Sequence, residues 1–442
     1  MRCALALAAV AVTTIAVSAQ NNRIDTISPS APALAAFGPY AIGVRTLDVT
    51  DKNRPDILNT KEGGPVARYD RTLTLEVWYP AALGNGQKPG EDYHVVTRDP
   101  TVMATLHGRA ARDANQARLR QGSGAAGSAG FPLVILSHGY PGNRFLLSHI
   151  GENLASKGYV VASIDHADST YSDQKAFNST LYNRPFDQLF VLNEMDRLSR
   201  SGNRFAGLIN ASRTAIIGYS MGGYGVVNVI GGGYSAASAT FQNAPPNKLL
   251  AVRGAANATY QQSRDARIKA AIAIGPWGMQ NGYWDAEGLK GIRTPVMFVA
   301  GSGDEVSGYD KGTRALYQGA VNADRYLLTF INAGHNAAAP YPAPRESYVF
   351  SEALKLFPFM HYADAVWDTV RMNNIFHHFA TAYFDVYLKG DADKQAYLDV
   401  VPHGKDAVFA VDPEGKPTAA HTYWKGFKRG TAVGLILEHA KP

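Results

Sequence analysis

The sequence predicts an α/β fold in which a mostly parallel central sheet carries helices on both faces and begins with an antiparallel pair of strands. Three observations support this prediction. From residue 131 onward, short and nearly continuous apolar segments alternate with helical ones, as expected of parallel strands covered on both faces. Before them, two segments alternate apolar and polar residues in the manner of antiparallel strands. With 442 residues, 46% hydrophobic and 18% charged, the chain can build one large core.

The first 19 residues have the pattern of a signal peptide. Arg2 gives the positive start, residues 3–17 form an uncharged apolar run, and small residues up to Ala19 mark the expected cleavage site. The run is short for a membrane span, so we expect an exported protein, periplasmic or secreted, with no stable span after cleavage. An uncleaved anchor is the alternative. Cys3 is the only cysteine, so the mature chain would have neither disulfides nor a cysteine nucleophile.

Composition shifts divide the rest of the chain. Residues 20–36 are polar and rich in Ser, Pro and Ala, and we expect a loose segment there. The main domain is predicted over residues 37–400, with an irregular insertion at 231–267. Residues 401–442 are expected to form an extension packed on the core, with a small strand at 424–427.

Apolar periodicity predicts the individual elements. The opening antiparallel pair is expected at residues 40–49 and 72–79, and a surface excursion at 108–130. Parallel strands are then predicted at residues 131–137, 159–165, 213–218, 268–274, 295–300 and 326–331. Helices are predicted at residues 144–156, 185–200, 221–230 and 363–388.

Residues 218–222 read Gly-Tyr-Ser-Met-Gly, the only G-x-S-x-G in the chain. The motif follows a strand rich in β-branched residues and enters a helix of small residues. A nucleophilic serine on a strained strand-to-helix turn needs this context, because only glycines on either side let the backbone approach so closely. A glycine-rich turn with an incidental serine is the alternative. The pattern predicts Ser220 as a nucleophile.

A serine hydroxyl needs a base to take its proton, and the base needs an acid to fix its tautomer. In the α/β-hydrolase fold, whose nucleophile sits on such a turn, the chain order is Ser, then Asp or Glu, then His. Asp304 stands at the end of the strand predicted at 295–300, with Glu305 as the fallback. His335 is the only later histidine that immediately follows a predicted strand. We therefore predict a triad of Ser220, His335 and Asp304.

Two further strand ends are candidates for the same site. The turn Ser137-His138-Gly139-Tyr140-Pro141-Gly142 follows an earlier strand. Backbone amides of Tyr140 and Met221 would form the oxyanion hole, and the Tyr140 ring would contact the substrate. Trp277 also ends a strand and is predicted to bind the acyl group, with simple packing as the alternative. The stretch 165–168 (Asp-His-Ala-Asp) lacks a third ligand, so we expect no metal and no cofactor.

Lys and Arg residues give a formal net charge of +6, but they are spread along the chain without a block of five like charges. This pattern indicates weak attraction of anions and predicts no nucleic-acid partner. It leaves the oligomeric state open.

The elbow at 218–222, the strand end at 135–139 and the phrase Leu154-Ala-Ser-Lys-Gly-Tyr-Val-Val-Ala162 resemble bacterial predicted dienelactone hydrolases. That group is similar to platelet-activating factor acetylhydrolases and to bacterial cutinase-like polyester hydrolases. Residues 38–43 and 76–80 also resemble the acetylhydrolase-like proteins. The resemblance covers residues 38–390 and implies the α/β-hydrolase fold and the triad.

The chain departs from these groups in three places. Polyester hydrolases of the cutinase type are shorter, and the insertion at 231–267 would change the rim of the cleft. True dienelactone hydrolases use a cysteine where this chain has Ser220, and most of the related proteins carry a histidine where this chain has Tyr219. We therefore expect an exported serine ester hydrolase that acts through an acyl-enzyme on small-molecule esters with short to medium acyl groups. A polyester hydrolase is the alternative within enzymes, and a non-catalytic exported binding protein is the alternative outside them.

Overall fold

The computed structural model describes residues 22–118, 130–200, 202 and 205–442. The signal peptide predicted at 1–19 lies outside the described residues, as does most of the second half of the excursion predicted at 108–130. None of the helices within the described part of the chain is long and apolar enough to cross a membrane.

The described chain contains thirteen strands and seven α-helices. The strands are β1 (Ala41–Pro55), β2 (Arg68–Ala82), β3 (Asp92–Val96), β4 (Met103–His107), β5 (Ala111–Arg112), β6 (Asn115–Gln116), β7 (Phe131–Ser137), β8 (Val160–Asp165), β9 (Ile209–Tyr219), β10 (Ile268–Ile274), β11 (Val296–Gly301), β12 (Arg325–Phe330) and β13 (Leu435–Ala440). The α-helices are α1 (Ser148–Ser156), α2 (Phe177–Arg200), α3 (Met221–Val229), α4 (Ala258–Gln262), α5 (Ala286–Leu289), α6 (Arg314–Gly319) and α7 (Thr369–Phe384).

Among the described residues, one sheet contains eleven strands, and the hairpin β3–β4 stands apart from it. Its order is β13-β12-β11-β10-β9-β7-β8-β2-β1-β5, with β6 paired to β2. The six central strands from β12 to β8 run parallel. Strand β13 pairs antiparallel with β12, β2 pairs antiparallel with both β8 and β1, and the short β5 runs parallel to β1. The predicted fold class, a mostly parallel sheet with an antiparallel start, is confirmed.

The sheet separates two apolar cores because successive side chains of a strand face opposite sides. On β11, Met297 and Val299 face one core, and Val296 and Phe298 face the other. Helices α1 and α7 cover the first core, and α2 and α3 cover the second. Each fully buried aliphatic side chain contributes about 1.5–3 kcal/mol to the free energy of unfolding, which makes the sheet rigid. Because its central strands are parallel, their carboxyl ends lie at one edge, where loops can hold reactive side chains.

Three helices begin at different residues from those predicted. Helix α7 starts at Thr369 rather than 363, where the Asp368 carboxylate caps it by accepting the Arg371 amide at 2.7 Å. Helix α1 starts at Ser148 rather than 144, because the Arg144 amide donates to Asp165 Oδ1 at 2.6 Å instead of entering a helical turn. Helix α2 starts at Phe177, and Pro185 lies inside it. Proline has no N–H for the carbonyl four residues earlier, and the Tyr224 hydroxyl donates to that carbonyl, on Leu181, at 3.2 Å.

The described part of the segment predicted to be loose is packed on helix α7. The Ser28 amide donates to Asn374 Oδ1 at 2.8 Å, and the Leu34 amide donates to His378 Nδ1 at 3.1 Å. Ala35 is fully buried. The prediction was wrong because polar side chains of a distant helix satisfy this backbone, and a local composition argument does not see them.

The C-terminal residues contain a strand that was not predicted. Strand β13 pairs antiparallel with β12 along the whole of both strands, and so covers one edge of the parallel sheet. The small strand expected at 424–427 is instead a turn. Its Trp424 is buried, and the indole N–H donates to the Val401 carbonyl at 2.8 Å. The predicted insertion at 231–267 contains 3-10 turns and α4.

Candidate active site

Ser220 lies on a sharp turn between β9 and α3, with φ 53° and ψ −113°. A non-glycine residue in such a conformation costs about 1–3 kcal/mol, so neighbouring structure must hold it. The Ser220 amide donates to the Ile274 carbonyl at 2.8 Å, and its carbonyl accepts from the Trp277 amide at 3.1 Å. The end of strand β10 therefore supports the turn that presents the serine hydroxyl.

The two glycines of the elbow are required by contact. A Cβ at Gly222 would lie 2.0 Å from the Ser137 carbonyl oxygen, and one at Gly218 would lie 2.2 Å from the Gly222 oxygen. Neither position has room for a side chain. This close approach brings the helix N-terminus of α3 against the end of β7.

The structure brings the three predicted triad residues together. Ser220 Oγ lies 2.9 Å from His335 Nε2, and His335 Nδ1 lies 3.0 Å from each carboxylate oxygen of Asp304. Asp304 Oδ1 also accepts the amides of Val306 at 2.9 Å and Ser307 at 2.8 Å. These two bonds orient the carboxylate, which places the proton of the neutral imidazole on Nδ1 and leaves Nε2 as the base.

Small and aromatic neighbours define the position of the imidazole. Gly275 has φ +47°, and a Cβ there would lie 3.2 Å from His335 Nδ1 and 3.3 Å from Asp304 Oδ2. The ring centroid of Tyr219 lies 5.1 Å from that of His335. The Tyr219 hydroxyl donates to Asn336 Oδ1 at 2.9 Å. The imidazole therefore contacts both a glycine and an aromatic side chain that is held by its own hydrogen bond.

The two amides predicted for the oxyanion hole are beside the serine. Met221 is the first residue of α3, so its N–H has no acceptor within the helix. Within the described residues, neither the Met221 nor the Tyr140 amide donates to a protein acceptor. A Cβ at Gly139 would lie 3.3 Å from Ser220 Cβ, which shows how closely the Tyr140 loop approaches Ser220. Such donors stabilise an oxyanion that develops next to Ser220.

A cavity of about 210 Å³ opens onto Ser220 and His335. Tyr140, predicted to contact substrate, lines it. Two residues of the cavity wall, Met360 and His361, were not singled out from the sequence, since they lie in an excursion after β12 that carries no motif. His361 Nε2 is 2.8 Å from the Tyr171 hydroxyl, and burial lowers the pKa of His361 to about 3, so this ring stays neutral.

Trp277 is not among the residues that line this cavity. Phe177 separates it from Tyr140: the Tyr140 and Phe177 centroids are 5.2 Å apart, and those of Phe177 and Trp277 are 5.3 Å apart, both edge to face. Trp277 also packs against Tyr283. The aromatic wall next to Ser220 therefore consists of Tyr140 backed by Phe177, and sequence reasoning missed Phe177 because α2 begins earlier than predicted.

The side chains of the stretch 165–168 are engaged elsewhere. Asp165 pairs with Arg144, and Asp168 accepts from Arg71 at 2.8 Å. His166 Nδ1 is 2.9 Å from Asp187 Oδ2. Over the described ranges, no group of three or more His, Cys, Asp or Glu side chains could hold a metal ion.

Two exposed apolar side chains, Val306 and Met360, line the cavity, and four more lie in the segment that precedes Met360. We call them the apolar rim, and they are Val306, Tyr348, Val349, Phe350, Phe357 and Met360. The rim is connected to the loop of His335, because Asn336 Nδ2 donates to the Met360 carbonyl at 3.0 Å. In addition, the Gly334 amide donates to Asp364 Oδ2 at 2.6 Å.

Comparisons with known proteins agree with this architecture. The model of the family platelet-activating factor acetylhydrolase, isoform II, matches residues 37–185, which include Tyr140 and end before Ser220. A cutinase of Thermobifida alba (est1) is 25% identical over 208 residues, which cover 47% of this chain and 54% of the cutinase. A bis(hydroxyethyl) terephthalate hydrolase of Streptomyces coelicolor is 26% identical over 207 residues, which cover 46% of this chain and 50% of that enzyme.

The chain thus spans about half the length of the curated relatives it matches. Among solved structures, a ferulic acid esterase from Streptomyces cinnamoneus superposes with a TM-score of 0.54 at 18% identity, covering 95% of this chain and 100% of that one. The α/β-hydrolase fold is therefore shown, and the resemblance to acetylhydrolase-like and cutinase-like proteins is confirmed. The resemblance to dienelactone hydrolases stays a prediction.

Proposed function

We propose that this α/β-hydrolase is a serine carboxylic ester hydrolase. One observation carries the proposal: a continuous hydrogen-bonded chain joins Ser220, His335 and Asp304 next to two backbone amides that have no acceptor among the described residues. Similarity to two kinds of ester hydrolase and the fold shared with a third support the same class. The sequence pattern of residues 1–19 supports action after export, in the periplasm or outside the cell.

The proposed reaction proceeds in two steps. Ser220 Oγ attacks the ester carbonyl carbon while its proton passes to His335 Nε2, and Asp304 stabilises the resulting imidazolium. The amides of Tyr140 and Met221 donate to the oxyanion, each contributing on the order of 3 kcal/mol to transition-state stabilisation. The imidazolium then protonates the leaving alcohol, and an acyl-enzyme remains. A water molecule, deprotonated by His335, attacks the acyl-enzyme and releases the acid.

The cavity size supports short to medium acyl groups as substrates. A volume of about 210 Å³ is below the range usual for drug-sized ligands, and Tyr140 with Phe177 closes one side. We therefore expect activity on p-nitrophenyl esters to fall as the acyl chain lengthens beyond medium size. A preference for long acyl chains would contradict this part of the proposal.

Polyester hydrolysis is the second candidate, and the apolar rim favours it. Val349 is 70% exposed and Phe357 is 49% exposed, in the segment that precedes Met360, and Met360 lines the cavity. An exposed apolar surface near Ser220 would hold a polymer strand that the cavity itself cannot enclose. Release of soluble monomers from an aliphatic polyester film tests this candidate.

Hydrolysis of a p-nitrophenyl ester series by the mature chain and its variants tests the proposal. Ser220→Ala should lower kcat/KM by on the order of 10³-fold or more. The matched control is Ser148→Ala, a buried serine at the start of α1 whose hydroxyl has no hydrogen-bond partner in the described chain. This control should keep wild-type activity. If wild type and the Ser220 variant are equally inert on every ester, a non-catalytic binding protein becomes the better account.

A further inference from the structure

A buried polar layer lies directly behind the Tyr140 loop, and the reaction described above does not use it. Ser137 Oγ is 2.8 Å from His166 Nε2, and His166 Nδ1 is 2.9 Å from Asp187 Oδ2. This second Ser-His-Asp arrangement has the order of a catalytic triad. All three side chains are at most 1% exposed, however, so no substrate reaches this serine. The layer must act on its surroundings instead.

Helix α2 contributes a buried arginine to this layer. Arg184 is 1% exposed and forms no ion pair with any residue in the described part of the chain. Its guanidinium donates to the His138 carbonyl, to the Gly139 carbonyl at 3.5 Å and to Ser169 Oγ at 2.7 Å. Burial lowers the pKa of Arg184 to about 9, so the group stays charged at neutral pH. A buried cation is costly, and this one is bound mainly to loop carbonyls.

His138 acts on the same loop from within. Its Nδ1 lies 2.7 Å from the Gly139 carbonyl, which can only accept, so Nδ1 carries the proton. Its Nε2 accepts the His166 amide at 3.2 Å. Both ring nitrogens are therefore used by a neutral imidazole, in agreement with the lowered pKa that burial gives this residue. The Gly139 carbonyl accordingly has two donors, both on the buried side of the loop.

The orientation of one carbonyl determines that of the next amide. In a trans peptide unit the C=O and the N–H point in opposite directions. The only cis bond among the described residues is Tyr140–Pro141, so the Gly139–Tyr140 unit is trans. Because donors hold the Gly139 carbonyl in the buried layer, the Tyr140 N–H points the other way, toward Ser220. The loop contacts the nucleophile on that side, where a Cβ at Gly139 would lie 3.3 Å from Ser220 Cβ.

We propose that Arg184 is a positioning residue that, together with His138, orients the Tyr140 amide as an oxyanion donor. This inference rests on the proposed ester hydrolysis and deepens it. Helix α2 also contacts the other half of the oxyanion hole, since Gln188, one turn after Arg184, donates to the Gly222 carbonyl of α3 at 2.9 Å. One face of α2 thus fixes the loop and the helix that carry both donors.

The test compares Arg184→Met and Arg184→Lys with a matched control, Arg253→Met. Arg253 is also a buried arginine, but its Nε donates to Asn228 and its guanidinium packs on Phe186. The assay measures kcat and KM for p-nitrophenyl butyrate, and Ki for an alkyl boronic acid whose tetrahedral adduct on Ser220 mimics the oxyanion. A thermal unfolding curve of each variant checks that the variant is folded at the assay temperature.

A misdirected donor loses part of the 10²–10³-fold that one oxyanion donor is typically worth, so we expect Arg184→Met to lower kcat by about 10- to 100-fold. KM should stay within about threefold, and Ki for the boronic acid should rise by the same factor as kcat falls. Arg184→Lys keeps the positive charge but loses the planar guanidinium that donates to several acceptors at once, so it should recover part of kcat. Arg253→Met should leave both kcat and Ki unchanged.

Equal losses of kcat in the Arg184 and Arg253 variants, or a change in KM alone, would overturn the inference. If Arg184→Met does not fold, Arg184→Lys decides, and wild-type kcat and Ki in that variant would overturn it. Failure of the proposed function has a different signature. In that case wild type itself hydrolyses no ester and does not react with a fluorophosphonate at Ser220.

Discussion

Acid should destabilise this protein through buried histidines that are held neutral. Burial lowers the pKa of His149 to about 4 and those of His166, His361 and His378 to about 3. In the unfolded chain each has an ordinary value of about 6.5. Below about pH 6.5 the unfolded chain therefore binds protons at these histidines that the folded chain does not bind. The stability these groups contribute is complete above pH 6.5 and is lost as the pH falls toward their folded pKa values.

The magnitude follows from the size of these shifts. Between pH 7.5 and pH 5.5, one such histidine lowers the free energy of unfolding by about 1.3 kcal/mol. The four together lower it by about 5 kcal/mol, which compares with the 5–15 kcal/mol typical of a whole domain. We therefore expect the folded chain to lose most of its stability near pH 5.

Urea unfolding at pH 7.5 and 5.5, followed by tryptophan fluorescence, measures this difference. His149→Gln should reduce the difference between the two pH values by about 1.3 kcal/mol, because one titrating group is removed. His94→Gln, at an exposed position, is the matched control and should leave the difference unchanged. A free energy of unfolding that is the same at both pH values would refute the reasoning.

Three further substitutions test individual contacts. Gly275→Ala places a Cβ against the triad imidazole and carboxylate, and a shift of tenths of an ångström should lower kcat by on the order of 10-fold; wild-type kcat would contradict it. Tyr224→Phe leaves the Leu181 carbonyl without its donor and should lower the free energy of unfolding by about 1 kcal/mol. Adding Pro185→Ala supplies a backbone N–H for that carbonyl, so a double-mutant cycle should show that most of the loss is recovered. Val349→Lys in the apolar rim should lower monomer release from a polyester film several-fold and leave soluble-ester hydrolysis unchanged. The control Val408→Lys, in the C-terminal extension, should change neither activity. Equal film hydrolysis by wild type and both variants would argue against the rim as a polymer surface.

The sequence alone was sufficient to predict the elements that place Ser220, Asp304 and His335 together. Each of the three follows a buried parallel strand, and the carboxyl ends of such strands meet at one edge of a sheet. Local pattern and chain order therefore carried a long-range prediction. The two amides predicted for the oxyanion hole, those of Tyr140 and Met221, lie at the same edge.

Contacts between distant segments account for what was missed. Segment 22–36 is ordered by side chains of α7, more than 300 positions away in the sequence, and no local pattern records that pairing. Phe177 and His361 reach the site from segments without a motif. The role of the buried Arg184 could not be predicted either, because two of its three hydrogen-bond partners are backbone carbonyls, which every residue has.

Labelling with a fluorophosphonate tests the central claim most directly. Two Ser-His-Asp arrangements lie within the described residues, and Ser220 borders a cavity whereas Ser137 is fully buried. Peptide mass spectrometry of the mature chain should find one phosphonyl adduct, on the peptide containing Ser220. The adduct should be absent from Ser220→Ala. An adduct on Ser137, or none on wild type at all, would contradict the assignment of Ser220 as the nucleophile.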